Sequence, residues 1–190
     1  MDGYVRSDVL KDLYDYDNSE FVNNLEMEGF FVAQQSHSNY AKTILSVPST
    51  LNMDYVDTFA PGLDDSKFWW LMEPFIDHSE VRTLLKSQGY QTVSFSTNWS
   101  LTDMNSADIH LAAFPVELTD FEQYLLQTTP LRLSQPFLQD SASVFTSETQ
   151  RRTILHTLGA LDDFVSDPDP VFVFAHILLP HPPFVLDAEG

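Results

Sequence analysis

Apolar positions recur at helical spacing in some stretches of this chain and run together or alternate in others, and the changes of period mark its elements. Val9, Leu10 and Leu13 share one face of a helix expected over residues 7–16. Phe21, Val22 and Leu25 do the same over 17–27, where Asp17 and Glu20 form a helix-start signal. Gly29 ends that pattern, and residues 30–35 (FFVAQQ) read as a strand. Thr43, Ile44, Leu45, Val47 and Leu51 then give a helical face despite Pro48, which falls within the first turn or two, where a missing N–H costs least. Residues 54–76 are irregular and aromatic, a packed loop or short helix over the sheet, or a lid beside a substrate.

From Asp77 the helical period returns: Val81, Leu84 and Leu85 face inward, Lys86 occupies the last turn and Gly89 is the stop. Residues 90–97 (YQTVSFST) read as a strand, 109–114 as a short apolar strand, 118–126 as a helix and 130–145 as loop. Ser147 and Gln150 form a capping box for a helix over 148–165, with Ile154, Leu155, Leu158, Leu161 and Phe164 inward and His156 facing solvent. Asp167-Pro168-Asp169-Pro170 breaks it, and residues 171–175 have the composition of a strand buried on both faces. Helices alternating with strands predict an α/β domain with a mostly parallel sheet between layers of helices.

Composition narrows the function classes. With 43% apolar and 13% aromatic residues, 190 residues can bury the core of one domain, and the sequence is not of the disordered class. There is no cysteine, which leaves His, Asp, Glu, Ser and Thr to carry any chemistry. A net charge of −19, from 28 acidic and 9 basic residues, argues against a nucleic-acid or anionic-membrane surface. No apolar run is long enough for a membrane-spanning helix, and the opening residues lack the basic and apolar regions of a signal peptide. Asn98-Trp99-Ser100 fits a glycosylation acceptor pattern.

Two stretches could carry chemistry. Residues 36–52 (SHSNYAKTILSVPSTLN) are dense in hydroxyls, and a strand, a turn and a helix opening at Thr43 would set that hydroxyl where helix N–H groups and dipole favour an anion. Thr43 as a simple N-cap is the competing reading. In the second stretch, a buried strand runs into His176, and His181 follows within a rigid Pro-rich loop, past the carboxyl edge of the sheet where ligands bind in parallel α/β folds. A neutral imidazole there can ligate zinc, donate to an anion, or simply satisfy loop backbone. Asp2 would end a first strand as a metal ligand, or serve as a turn residue.

Together these stretches resemble the alkaline phosphatase superfamily, in its sulfatase-like branch with the phosphoethanolamine transferases and lipoteichoic acid synthases. Thr43-Ile44-Leu45-Ser46-Val47-Pro48 matches the Thr-x-x-Ser-Val-Pro motif that carries the transferases' nucleophilic threonine. His176 and His181 match the His-x4-His-x-Pro pattern. Asp2, Arg6 and Asp8 look like the first motif, and residues 84–98 resemble the middle helix and strand.

The resemblance implies a three-layer alkaline-phosphatase-like fold and metal-assisted transfer on phosphate-type esters, small or linked to lipid or glycan. Thr43 is the implied nucleophile. Asp2 and Thr43 would bind a divalent metal (zinc, manganese, magnesium or calcium). His181 would contact the substrate or leaving group, and Lys42, Asn39 and His176 are further substrate-side candidates. Sulfate esters are disfavoured, since there is no Cys and Thr50 stands where the sulfatase motif has Arg. Relatives of this branch are often membrane-anchored, with the catalytic domain outside the cytoplasm.

The branch completes its metal site with an Asp-His pair beyond the His-x-Pro loop, and this chain stops at Gly190 and opens at Asp2 without a first strand. It is therefore expected to be a partial sulfatase-like catalytic domain over 1–190, part of a longer protein and inactive as it stands. The alternative is a non-catalytic α/β scaffold or binding domain that kept the fold. A Ser or Thr esterase is a third reading, without a Gly-x-Ser-x-Gly elbow to support it.

Overall fold

A computed structural model describes residues 3–63, 69–138, 141–142, 146–164, 169–182 and 184–186. The chain divides into two compact units, Gly3–Ser38 and Asn39–Gly190.

In the first unit, α1 (Ser7–Tyr14) stops where Asp15 takes the left-handed conformation, its amide bonding the Leu10 and Lys11 carbonyls. Next comes α2 (Ser19–Met27), preceded by a buried Asn18 whose amide donates to the Tyr4 hydroxyl at 3.0 Å. Arg6 forks onto Asp8 at 2.7 and 3.0 Å and reaches the Ser36 carbonyl and His37 Nε2 at 3.2 and 2.9 Å. The expected strand over residues 30–35 does not form; the segment is irregular, with Phe31 93% exposed. Strand propensity measures fit to a pleated, half-buried surface, and among the described residues no neighbouring strand offers this segment a ladder.

The second unit holds a three-stranded parallel sheet flanked by helices. Strands β1 (Gln91–Phe95), β2 (Ile109–Leu111) and β3 (Val171–Phe174) lie in the order β2-β1-β3, with Val93 opposite both Ile109 and Val173. All three strands expected in this part of the chain form, each somewhat shorter than its sequence pattern. Central β1 is buried on both faces: Val93 and Phe95 take one side, Thr92 and Ser94 the other.

Helix α3 (Thr43–Leu51) buries Ile44, Leu45 and Leu51. Ile44 and Leu45 pack with Val56 of α4 (Val56–Phe59), Ala60 and Met72. Leu51 packs with Ile76 of α5 (Glu73–Asp77) and Met104, against Phe172 and Phe174 of β3. In the aromatic stretch expected as loop, short helix or lid, α4 and α5 are short helices packed on α3, and residues 64–68 lie outside the described residues. Pro48 is the sixth of nine residues, inside the helix, so the Ile44 carbonyl loses its usual partner four residues on.

The far end of α3 is tied by Asn52. Its amide donates to the carbonyls of Pro48 and Phe75, both at 2.7 Å, and its Oδ1 accepts from the Glu80 N–H at 3.1 Å. One side chain thereby joins α3 to α5 and to the first residue of α6 (Glu80–Ser87). Beside it Arg82 is buried, donating to the carbonyls of Asp77 and Ser106 and lying 3.6 Å from the Asp77 carboxylate.

On the other face of the sheet lies α9 (Ser147–Ala160), after α7 (Asp120–Thr128) and α8 (Gln135–Leu138). Its N-cap is Thr146, which accepts from the Thr149 N–H at 3.1 Å; the expected Ser147–Gln150 box does not form. The inward face also differs from the expected one. Thr149, Gln150, Thr153, Ile154 and Thr157 are buried while Leu155 and Leu158 are more than 40% exposed. The buried set follows helical spacing as well as the leucines do. His156, expected toward solvent, is half-buried with its ring edge-on to Phe95 at 6.5 Å. No helix among the described residues is long and apolar enough to cross a membrane.

Replacing Asn52 by Ala removes two partly buried hydrogen bonds and one exposed one and is expected to lower stability by about 2 kcal/mol, read as a reduced urea midpoint at unchanged slope.

Candidate functional site

Thr43 is the first helical residue of α3. Lys42, extended at φ −106° and ψ 128°, is the N-cap, and its side chain makes no capping bond. The simple N-cap reading of Thr43 is therefore replaced: the hydroxyl stands in the first turn, at the positive end of a nine-residue helix.

His181 reaches the same place from the segment after β3. Its Nδ1–H donates to the Pro182 carbonyl at 2.6 Å, and since a carbonyl only accepts, a neutral ring keeps its lone pair on Nε2. Thr43 and His181 line one cleft of about 450 Å³. Asn98 and Trp99, just past the carboxyl end of β1, form a second wall, and Gln123, Tyr124 and Gln127 of α7 a third. Gln150 of α9 closes the inner side.

The other sequence-derived candidates fall elsewhere. Lys42 is exposed beside Thr43. Asn39 donates to Ser49 Oγ at 2.7 Å, and Ser49, fully buried, donates to the Asp54 carbonyl at 2.6 Å, so Asn39 braces the middle of α3. His176 lies past β3 as expected, with Nδ1 3.0 Å from Thr102 Oγ1. It lines not the main cleft but a cavity of about 10 Å³, with Thr97, Gln150, Thr153 and Thr157. Asp2 lies outside the described residues. Among those described, no group of three or more His, Asp or Glu is placed to hold a metal ion.

Sequence reasoning missed the aromatic and amide walls. Their one available signal was position, because Asn98-Trp99 follows directly on a buried parallel strand. Asn98 holds φ 59° and its amide donates to Thr153 Oγ1, so the nitrogen a glycan would need is already bound to α9.

The loop carrying Asn98 and Trp99 is held from beneath by Asp103. One carboxylate oxygen accepts from both the Thr97 N–H at 2.8 Å and the Thr97 hydroxyl at 2.7 Å. Burial pushes this carboxyl up to about 6; the two Thr97 bonds oppose the shift, Glu117 adds to it and His110 offsets part of it.

Comparison with protein-family models, curated proteins and solved structures found no match.

Because the folded carboxyl of Asp103 holds its proton to higher pH than the unfolded one, its ionisation costs the fold stability. That cost is absent below the unfolded value near 4, grows as pH rises and is complete above about 6. Asp103→Asn keeps an oxygen for both Thr97 bonds. It is expected to raise stability by about 2 kcal/mol at mildly alkaline pH and to change it little near pH 4, measured by denaturant titration at the two pH values.

Proposed function

We propose that this chain carries the nucleophile-bearing part of a metal-dependent phosphoester hydrolase or transferase of the sulfatase-like type, with the three-layer fold of that branch and Thr43 as nucleophile. The observation that carries the reading is that Thr43 and His181, distant in sequence, line one cleft, with Thr43 in the first turn of α3.

In this reading the Thr43 oxygen attacks phosphorus, the bond to the ester oxygen breaks, and the threonine proton is lost as the departing alcohol gains one. The positive end of α3 favours the phosphoryl oxygens. His181, with its lone pair on Nε2 in the neutral ring, relays a proton to or from the alcohol oxygen. Water or an acceptor alcohol then attacks the phospho-threonine, restoring the hydroxyl.

A divalent metal belongs to the proposal through Asp2 and Thr43, where it would act as a Lewis acid on the phosphoryl group. The described residues supply Thr43 alone of that pair, and no step above passes through the metal.

A single attack leaves a covalent mark even where turnover is not completed. The protein is expected to gain one phosphoryl group on Thr43 when mixed with an aryl phosphate and zinc, manganese, magnesium or calcium, detected by intact mass and peptide mapping. Thr43→Ala should abolish the mark, and His181→Ala should slow it about a hundredfold. Phosphorylation at another residue, or none with any of the four metals, overturns the reading and leaves the non-catalytic scaffold.

A further inference from the structure

Away from the Thr43 cleft, Ser94, His110 and Glu117 form a line of hydrogen bonds across one edge of the sheet. His110 Nδ1 lies 2.8 Å from Ser94 Oγ, and its Nε2 lies 3.1 Å from a Glu117 carboxylate oxygen. The order resembles a hydrolytic triad, but Ser94 is 0% exposed and its hydroxyl donates to the Met104 carbonyl at 2.8 Å. A serine hydroxyl has one proton, and a carbonyl can only accept. With that proton committed to Met104, Ser94 offers His110 only a lone pair, so Nδ1 must donate. The Glu117 carboxylate likewise only accepts, so Nε2 must donate too. With both bonds made in this sense, each ring nitrogen carries a proton and the ring is an imidazolium.

The surroundings suit a cation. Glu117 faces the ring from the segment after β2, Asp103 from the loop after β1 and Asp77 from the end of α5, the last with Arg82 at 3.6 Å. The Glu117 bond raises His110 above the ordinary histidine range despite burial. Burial alone would raise Glu117, but bonds from His110 and Ser96 and the imidazolium charge hold it below the ordinary glutamate range.

The pair sits on the route to one wall of the cleft, a route also held by buried Phe114 under the Arg152 guanidinium and by the Val116–Ala142 bridge. Past Glu117, the Leu118 carbonyl accepts from the Gln123 side chain at 3.2 Å, and Thr119 and Glu122 close a capping box that starts α7. That helix presents Gln123, Tyr124 and Gln127 to the cleft.

We propose that His110 is a proton-operated latch: as an imidazolium bridging Ser94 and Glu117 it tightens residues 112–118, and with them the α7 wall of the cleft, and loss of its proton loosens them. The latch is independent of any chemistry at Thr43. A group whose folded pKa is raised stabilises fully below its unfolded value, near 6.5, and the stabilisation is lost as pH rises through the folded value.

The test is long-range proton–nitrogen NMR of the His110 ring in the intact chain, with hydrogen exchange of α7 amides followed from about pH 5 to about pH 9 and corrected for intrinsic rates. The Asp103→Asn background removes that carboxyl's own titration. At neutral pH both ring nitrogens should be protonated, and α7 protection should fall about tenfold as the ring titrates. Glu117→Gln should move the titration to lower pH and carry the loss of protection with it. An unprotonated ring nitrogen near pH 6.5, or α7 protection indifferent to the titration of His110, overturns the latch. The ring measurement on the unaltered chain decides the first point even where a variant folds poorly.

Discussion

A strand buried on both faces with hydroxyls at alternate positions exists only if every one of those hydroxyls finds a partner. Strand β1 is such a strand, with Thr92, Ser94 and then Ser96 along one side. The hydroxyl partners come from β2 and the chain on either side of it, Met104 and His110 meeting Ser94 and Glu117 meeting Ser96, while Asp108 accepts the backbone N–H of Thr92 at 2.9 Å. The turn of the chain at residues 103–108 is thereby specified by polar bonds as well as by the buried side chain of Met104. Satisfying β1 sets where β2 begins and where the route to α7 leaves the sheet.

The same edge explains why the cleft is where it is. Parallel strands deliver their following loops to one side, so Asn98 and Trp99 after β1 and His176 and His181 after β3 emerge together. Thr43 belongs to that neighbourhood through the apolar contacts of α3 with α4 and α5 and with β3. The bonds of Asn52 and Arg82 keep α3, α5 and α6 in one arrangement beneath it.

Strand periodicity was legible where the strand has a partner to pair with. Residues 90–97 and 171–175 have apolar runs that a parallel sheet buries, and β1 and β3 lie within them. The run FFVAQQ has the same local preference but no partner strand among the described residues, and a preference that reports packing says little where nothing packs. Thr43 and His181 could be singled out because hydroxyl and imidazole chemistry is rare enough to notice. The amides and aromatics of α7 could not, since Gln123, Tyr124 and Gln127 look like any helix surface until the fold turns them toward the loop after β1. His110 was hidden for a related reason: its partners Ser94 and Glu117 come from different elements, and only register brings Ser94 level with it.

Helix α9 meets the sheet through threonines and a glutamine as much as through Ile154, while its leucines lean outward. Contact between apolar surfaces weakens as temperature falls, because its driving force near room temperature is entropic. The bond from Asn98 to Thr153 on the α9 side does not share that weakness. In the cold, therefore, the apolar packing of α3 against β3 should be among the first contacts to loosen.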